Sequence, residues 1–361
     1  MNEDISRFNN IPTVDSIEKN IDNTESLEKM SFDEQYDHPE EITTLSGERF
    51  KLHDATPPNG NGEAPIFFCP GWLEDPVNGK ENLRKWYEAG RQVLWPDSPH
   101  GIDIKNIRDY ISFDMLLEQG IPEELLSDMP MTEMKKAAAV LISLDSKNIL
   151  QTDAVGQSEG GIYLCVAALL APERFKNIVL VNSGGLIGKD LGVALAYRSN
   201  KDTKKMFKDQ QESPSEFFFK DDPDRGKMYF NETLVDTIEE GYGISQVDLR
   251  KILEILKMKG VDVSIVHTEN DLFFPVEKVK NTLADRHHDG ITVVENLPHQ
   301  GFILEPTKFS KIVNDELHRL EANRQEKIKM GELIDDGKSI VYDATKGLEG
   351  DGDRIEEETL L

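Results

Sequence analysis

Residues 148–175 place a strand-like run, NILQTDAVGQS, one residue before a helix-like run, GGIYLCVAALLAPERF, with glycines on both sides of the join. A strand that turns straight into a helix is half of a βαβ unit. Both halves must lie inside a layered structure. The same alternation recurs along the chain. Strand-like segments span Ala64–Trp72, Gln92–Asp97, Asn177–Gly185, Val261–Asp271 and Ile291–His299. A helix is expected over Met131–Leu144, with Thr132 as its N-cap. Strands separated by helices pair in parallel, with helices on both faces of the sheet. The class is therefore α/β. The earlier segment Glu40–Ala55 alternates apolar and polar residues around a Ser-Gly turn and reads as an antiparallel hairpin at one edge.

The interval Leu186–Gly260 is too long for a single crossover helix. It is charged, carries the aromatic clusters SEFFFKDD and KMYFNE, and ends in the helix-like run SQVDLRKILEILKMKG. It is read as a helical cap over residues 186–260, set above the carboxyl ends of the strands, where open α/β sheets bind ligands. Phe217, Phe218, Phe219 and Tyr229 are candidates for the pocket wall, against the alternative that they pack within the cap. The core then comprises residues 39–185 and 261–325. Residues 1–38 and 331–361 read as acidic disordered tails, because segments so charged bury too little apolar surface to offset the entropy of ordering. Within the second tail, Ser339–Ala344 has strand propensity and could dock on the body.

Charge narrows the function. With 68 Asp and Glu against 41 Lys and Arg, the net charge is −27, and the two ends of the chain carry 15 of these charges. Phosphate binding needs a positive field, so nucleic acids are excluded as partners, and anionic membrane surfaces are disfavoured. Two cysteines cannot frame a disulfide scaffold or a spaced zinc site. The N-terminus lacks the basic start and apolar run of a signal peptide. The longest apolar runs, Ala137–Leu144 and Ile162–Ala171, fall well short of the ~18 residues of a membrane span. A cytoplasmic location is expected. No motif specifies an oligomeric state.

The join itself reads Gly156-Gln157-Ser158-Glu159-Gly160-Gly161. Gly-x-Ser-x-Gly occurs by chance, as a plain turn, and gains meaning only between a strand and a helix, which is its setting here. Ser158 is then a candidate nucleophile near the positive end of a helix. A serine hydroxyl needs a neighbouring base, itself oriented by a third group. His299 ends the Ile291–His299 segment and Asp271 ends the Val261–Asp271 segment, so all three come to one sheet edge in the order Ser, Asp, His. Glu269 and Asp285 are the alternative acids. His100 is the alternative base, and Asp271 could instead cap the following helix. An oxyanion hole needs two backbone N–H groups. One is assigned to Glu159 and the other to Trp72, or to Leu73, in the turn opened by Gly71. The Trp72 ring could equally be a buried anchor.

Over Glu40–Leu320 the chain resembles the α/β-hydrolase superfamily, through PGW, VLWPDSPHGID, GQSEGG, APERFKNIVLVNSGG, TENDLFFP and LPHQGF. The resemblance implies a mostly parallel eight-stranded sheet flanked by helices, with a cap after that fold's sixth strand. Pro70 stands where such chains commonly have His before Gly71, and SPHGID departs from the usual Gly-His-Gly-x-Ser loop. The expected activity is that of a serine hydrolase acting on carboxylic esters or related small acyl compounds, with water as second substrate. Such chemistry calls for neither a metal nor an organic cofactor. The alternatives are a carbon–carbon bond hydrolase using the same triad, and a non-catalytic hydrolase-like binding protein.

Overall fold

The structure, a computed structural model, describes residues 30–44, 47–72, 76–96, 104, 107, 110–210, 234–284, 287–335 and 340–342. Eight strands form one sheet: β1 (Glu40–Thr43), β2 (Arg49–Ala55), β3 (Ile66–Cys69), β4 (Val93–Pro96), β5 (Thr152–Gln157), β6 (Phe175–Val181), β7 (Asp262–Thr268) and β8 (Ile291–Val294). Their spatial order is β1-β2-β4-β3-β5-β6-β7-β8. The β1–β2 and β2–β4 pairs are antiparallel and every other pair is parallel. Strands β3, β4, β5 and β7 are buried along their whole length, which accounts for their unbroken apolar runs.

The helices, in chain order, are α1 (Phe32–Tyr36), α2 (Pro76–Glu88), α3 (Phe113–Glu118), α4 (Glu123–Ser127), α5 (Met131–Ser146), α6 (Gly160–Leu170), α7 (Gly192–Gln210), α8 (Leu234–Gln246), α9 (Leu249–Met258), α10 (Val276–Leu283), α11 (Gly301–Leu304) and α12 (Pro306–Met330). Two apolar clusters flank the sheet. One holds the buried faces of α5, α6 and α9 with Phe67, Leu94, Ala154 and Leu180. The other joins α1, α2, α11 and α12 to Ile66, Val93, Val155 and Val266 from the alternate positions of the same strands.

Four sequence expectations are corrected here. Thr132 is not the N-cap of α5. Pro130 holds that position with extended backbone, and its carbonyl accepts the Met134 N–H at 3.1 Å. The insertion read as a cap does not run to residue 260. Leu249, Leu253 and Leu256 of α9 are fully buried with α6, so α9 is the crossover helix leading into β7 and belongs to the core. The core also extends past residue 325, because α12 continues to Met330 and ends at Gly331 in left-handed backbone. Beyond it, β9 (Leu333–Asp335) and β10 (Ile340–Tyr342) pair antiparallel as a separate hairpin rather than starting a tail at 331. The rest of that tail lies outside the described residues.

The fourth correction concerns the N-terminal tail. Residues 1–29 lie outside the described residues, but 32–36 form α1 and dock on the body. Ser31 closes a capping box with Glu34: the Glu34 carboxylate accepts the Ser31 N–H at 2.7 Å. Phe32 and Tyr36 are buried against Trp95, with ring centroids 6.5 and 5.2 Å away. Asp33 accepts both guanidinium arms of Arg84, at 2.6 and 2.8 Å, and meets Lys80 at 2.9 Å. The Arg84 bonds, and then Lys80, hold its carboxyl well below the usual range. Phe32→Ala is therefore expected to lower the unfolding free energy by about 3 kcal/mol, the usual cost of emptying a buried aromatic site. Urea denaturation of the full chain measures it, and a midpoint equal to wild type would show α1 to be dispensable.

Candidate active site

Strand β5 ends at Gln157 and α6 begins at Gly160, so Ser158 and Glu159 make the whole turn. Ser158 has φ +53°, a left-handed conformation that side-chain-bearing residues rarely adopt. The surroundings hold it there. Its N–H donates to the Val181 carbonyl at 2.9 Å, and its own carbonyl accepts the N–H groups of Gly161 at 3.2 Å and Gly184 at 3.0 Å. The flanking glycines are required by close approach. A Cβ on Gly156 would lie 2.5 Å from the Gly161 Cα, and one on Gly160 would lie 1.9 Å from the Cys69 carbonyl oxygen. The motif thus brings the end of β3 against the start of α6, and Ser158 is raised at the sheet's carboxyl edge.

The structure brings Asp271 and His299 to the same point. Parallel pairing of β6 with β7 and β7 with β8 aligns their carboxyl ends, so the segments that follow β7 and β8 meet beside Ser158. His299 Nδ1 lies 2.8 Å from Asp271 Oδ2, and its Nε2 lies 2.9 Å from Ser158 Oγ. Asp271 is 2% exposed, His299 1% and Ser158 8%. The carboxylate assigns the proton to Nδ1, which leaves Nε2 to accept the serine hydroxyl. Asp271 Oδ1 accepts the Phe274 N–H at 2.8 Å, so both carboxylate oxygens are engaged. Of the alternative acids, Glu269 is exposed and accepts the Asn296 N–H at 3.0 Å. Asp285 and the alternative base His100 lie outside the described residues.

The turn after β3 borders the elbow on the other side. Tyr163, one turn into α6, donates its hydroxyl to the Pro70 carbonyl at 2.9 Å and fixes that turn. Trp72 follows and is half-buried; its ring lies against Gly241 of α8, where a Cβ would sit 3.3 Å from the indole. Glu159 is fully buried, and its carboxylate accepts from Lys136 of α5 at 2.6 Å. Leu73, the alternative donor, and the four pocket candidates Phe217, Phe218, Phe219 and Tyr229 lie outside the described residues. Among the described residues no cluster of His, Cys, Asp or Glu is arranged to hold a metal ion, and no helix is long and apolar enough to cross a membrane.

No family model matches this chain, and no curated protein matches it in sequence. Solved structures do match it in shape. An esterase from Exiguobacterium antarcticum aligns over 78% of this chain and 100% of its own, at 16% identity and a TM-score of 0.53. A bromoperoxidase from Bacillus anthracis covers the same shares at 15% identity and a TM-score of 0.53. A thermophilic esterase from Thermogutta terrifontis covers 78% of this chain and 99% of its own, at 14% identity and a TM-score of 0.51. The chain has the α/β-hydrolase fold.

Within this α/β-hydrolase sheet, several residues that hold Ser158, His299 and Asp271 in this arrangement carry no motif of their own. Asn182, at the end of β6 with φ +46°, donates to the His299 carbonyl at 2.6 Å and accepts the Thr268 N–H at 2.8 Å. It ties the histidine loop to the end of β7. His267 Nε2 lies 2.6 Å from the Phe274 carbonyl and 3.4 Å from Asp271 Oδ2. Burial keeps its imidazole below the ordinary pKa against the pull of the Asp271 charge, so it serves as a neutral donor. Phe273 stacks on the His299 ring at 4.6 Å and 27°, and Phe274 meets it edge-on at 5.5 Å. Helix α7 of the insertion reaches the same loop. Arg198 donates to the Phe273 carbonyl at 2.8 Å, and Asp202 accepts the Leu272 N–H at 3.0 Å. The available signals were weak: an asparagine after a strand, and the pair Phe273-Phe274 beside Asp271.

Proposed function

We propose that this protein is a serine hydrolase of carboxylic esters or related small acyl compounds. The observation that carries the reading is the unbroken line from Asp271 through His299 to Ser158, at 2.8 and 2.9 Å, ending on a serine in left-handed backbone at the start of a helix. The esterases among the structural neighbours support it. Ser158 Oγ attacks the acyl carbonyl while His299 Nε2 takes its proton. Asp271 keeps the imidazole oriented and stabilises the imidazolium. The negative oxygen is held by the N–H groups of Glu159 and Trp72, next to the positive end of α6. His299 then protonates the departing alkoxide, leaving an acyl group on Ser158. Water attacks that ester with His299 again as base, releasing the acid and restoring the serine. Phe273 and Phe274 shield the imidazole face from competing water.

Purified protein assayed against p-nitrophenyl esters of graded acyl length tests this. Saturable turnover of at least the short members is expected, and no hydrolysis above the buffer rate for any of them would contradict it. The pH profile adds a sign. Only the neutral imidazole accepts the serine proton, so kcat/KM should fall tenfold per unit on the acid side. A rate independent of acidification until the protein unfolds would remove His299 from the role of base.

A further inference from the structure

Beyond the triad, a buried ionic group that its chemistry does not use lies against the elbow. Lys136 projects from α5 with its side chain 3% exposed, and its ammonium lies 2.6 Å from Glu159 Oε1 and 3.0 Å from Glu240 Oε1. The Glu159 side chain is fully buried and that of Glu240 is 10% exposed. Burying a lysine is costly unless it is paired and hydrogen-bonded, so this arrangement calls for a role. Its three anchors come from different layers. Lys136 belongs to the core helix α5, Glu159 to the elbow, and Glu240 to α8 of the insertion.

Glu133, one turn before Lys136, completes the group and is fully buried. Burial, and then the charge of Glu159 beside it, push the Glu133 carboxyl well above its ordinary range. It therefore favours its proton. Burial opposes the charge on Lys136, but the Glu159 and Glu240 carboxylates beside it outweigh that effect and keep it an ammonium. One cation thus binds two carboxylates, one on each side of the boundary between elbow and insertion.

The next residue of α8 makes a second contact of the same kind. Gly241 lies against the Trp72 ring so closely that an added Cβ would come within 3.3 Å of it. Two consecutive residues of one cap helix therefore reach both residues whose N–H groups serve the oxyanion in the reading above. Glu240 reaches Glu159 through Lys136, and Gly241 touches Trp72 directly.

We propose that Lys136 and Glu240 are positioning residues that couple the helical insertion to the oxyanion side of the site, holding the Glu159 N–H in place only when α8 is seated. This inference rests on the serine hydrolase reading. Neither side chain touches the substrate; both act through the backbone of Glu159 and the loop of Trp72. Donors fixed in advance stabilise the transition state more than the bound ester, so loosening them lowers kcat and leaves KM nearly alone.

The test compares wild type with Glu240→Leu, Glu240→Gln and Lys136→Met in the full chain. Melting temperature, kcat and KM on p-nitrophenyl acetate, and the second-order rate of Ser158 labelling by a fluorophosphonate are measured, all rates well below each variant's melting transition. Glu240→Leu is expected to lower kcat and the labelling rate together by about 10-fold or more, with KM within about twofold of wild type. Glu240→Gln, which keeps an oxygen where Lys136 can reach it, recovers most of both rates. Lys136→Met leaves two buried carboxylates without their cation and falls furthest; if it does not fold, the Glu240 pair decides. A folded Glu240→Leu with wild-type kcat and labelling rate, or one changed only in melting temperature, overturns the coupling while the hydrolase reading stands. A wild-type protein that neither labels at Ser158 nor hydrolyses the ester overturns both.

Discussion

Ser158→Ala is expected to lower ester turnover by on the order of 10⁶-fold while leaving the melting temperature close to that of wild type. The hydroxyl is the only atom removed, and its one hydrogen bond among the described residues is to His299 Nε2. The strained backbone of residue 158 is held by main-chain bonds to Val181, Gly161 and Gly184, which alanine keeps. Fold and nucleophile are therefore separable at this position. Because the three side chains act as a unit, Ser158→Ala combined with His299→Ala should be scarcely slower than the serine variant alone. Steady-state kinetics with a chromogenic ester, alongside thermal unfolding, measures both quantities. A serine variant at wild-type turnover would reduce the elbow to a turn.

The second large effect is expected from Asp271→Asn, about 10⁴-fold in kcat. The direction follows from the loop itself. The Phe274 N–H donates to Oδ1 at 2.8 Å, so in the variant the amide oxygen must take that position. The amide nitrogen then occupies the Oδ2 position, 2.8 Å from His299 Nδ1, where it can only donate. His299 is forced into the tautomer that carries its proton on Nε2, and it can no longer accept from Ser158. The same flip faces the amide nitrogen toward His267 Nε2, 3.4 Å from that position and itself a donor to Phe274. Glu269→Gln, two residues earlier and exposed, should retain wild-type turnover. The reverse pattern would move the acid to Glu269 while keeping the mechanism.

The placing of Ser158 and Asp271 at strand ends was legible in the sequence because such ends are marked by local chemistry. An apolar run that stops at a small or polar residue fixes where a strand releases the chain, and in a parallel sheet all such ends share one edge. The spatial order of the strands was not legible from that pattern. Placing β4 between β2 and β3 depends on pairings such as His53 with Trp95, between residues far apart in the chain. Helix α1 was hidden by its surroundings, since Phe32 and Tyr36 sit in an acidic stretch whose charges mask two buried rings. The sequence of α9 marked it as a helix but not that its partner is α6 rather than the rest of the insertion. Nothing in the sequence marked Lys136 and Glu133 as buried; α8 closes over them. What escaped the sequence is in each case a contact between distant segments.

The central claim is that Ser158 is a nucleophile activated by His299. Its most direct measurement is active-site labelling with a fluorophosphonate, followed by mass spectrometric mapping of the adduct. The account predicts one phosphonyl group per chain, on Ser158, with no adduct in Ser158→Ala and labelling slowed by several orders of magnitude in His299→Ala. Full-length, folded wild-type protein that takes up no label, or that carries it on another residue, would contradict it.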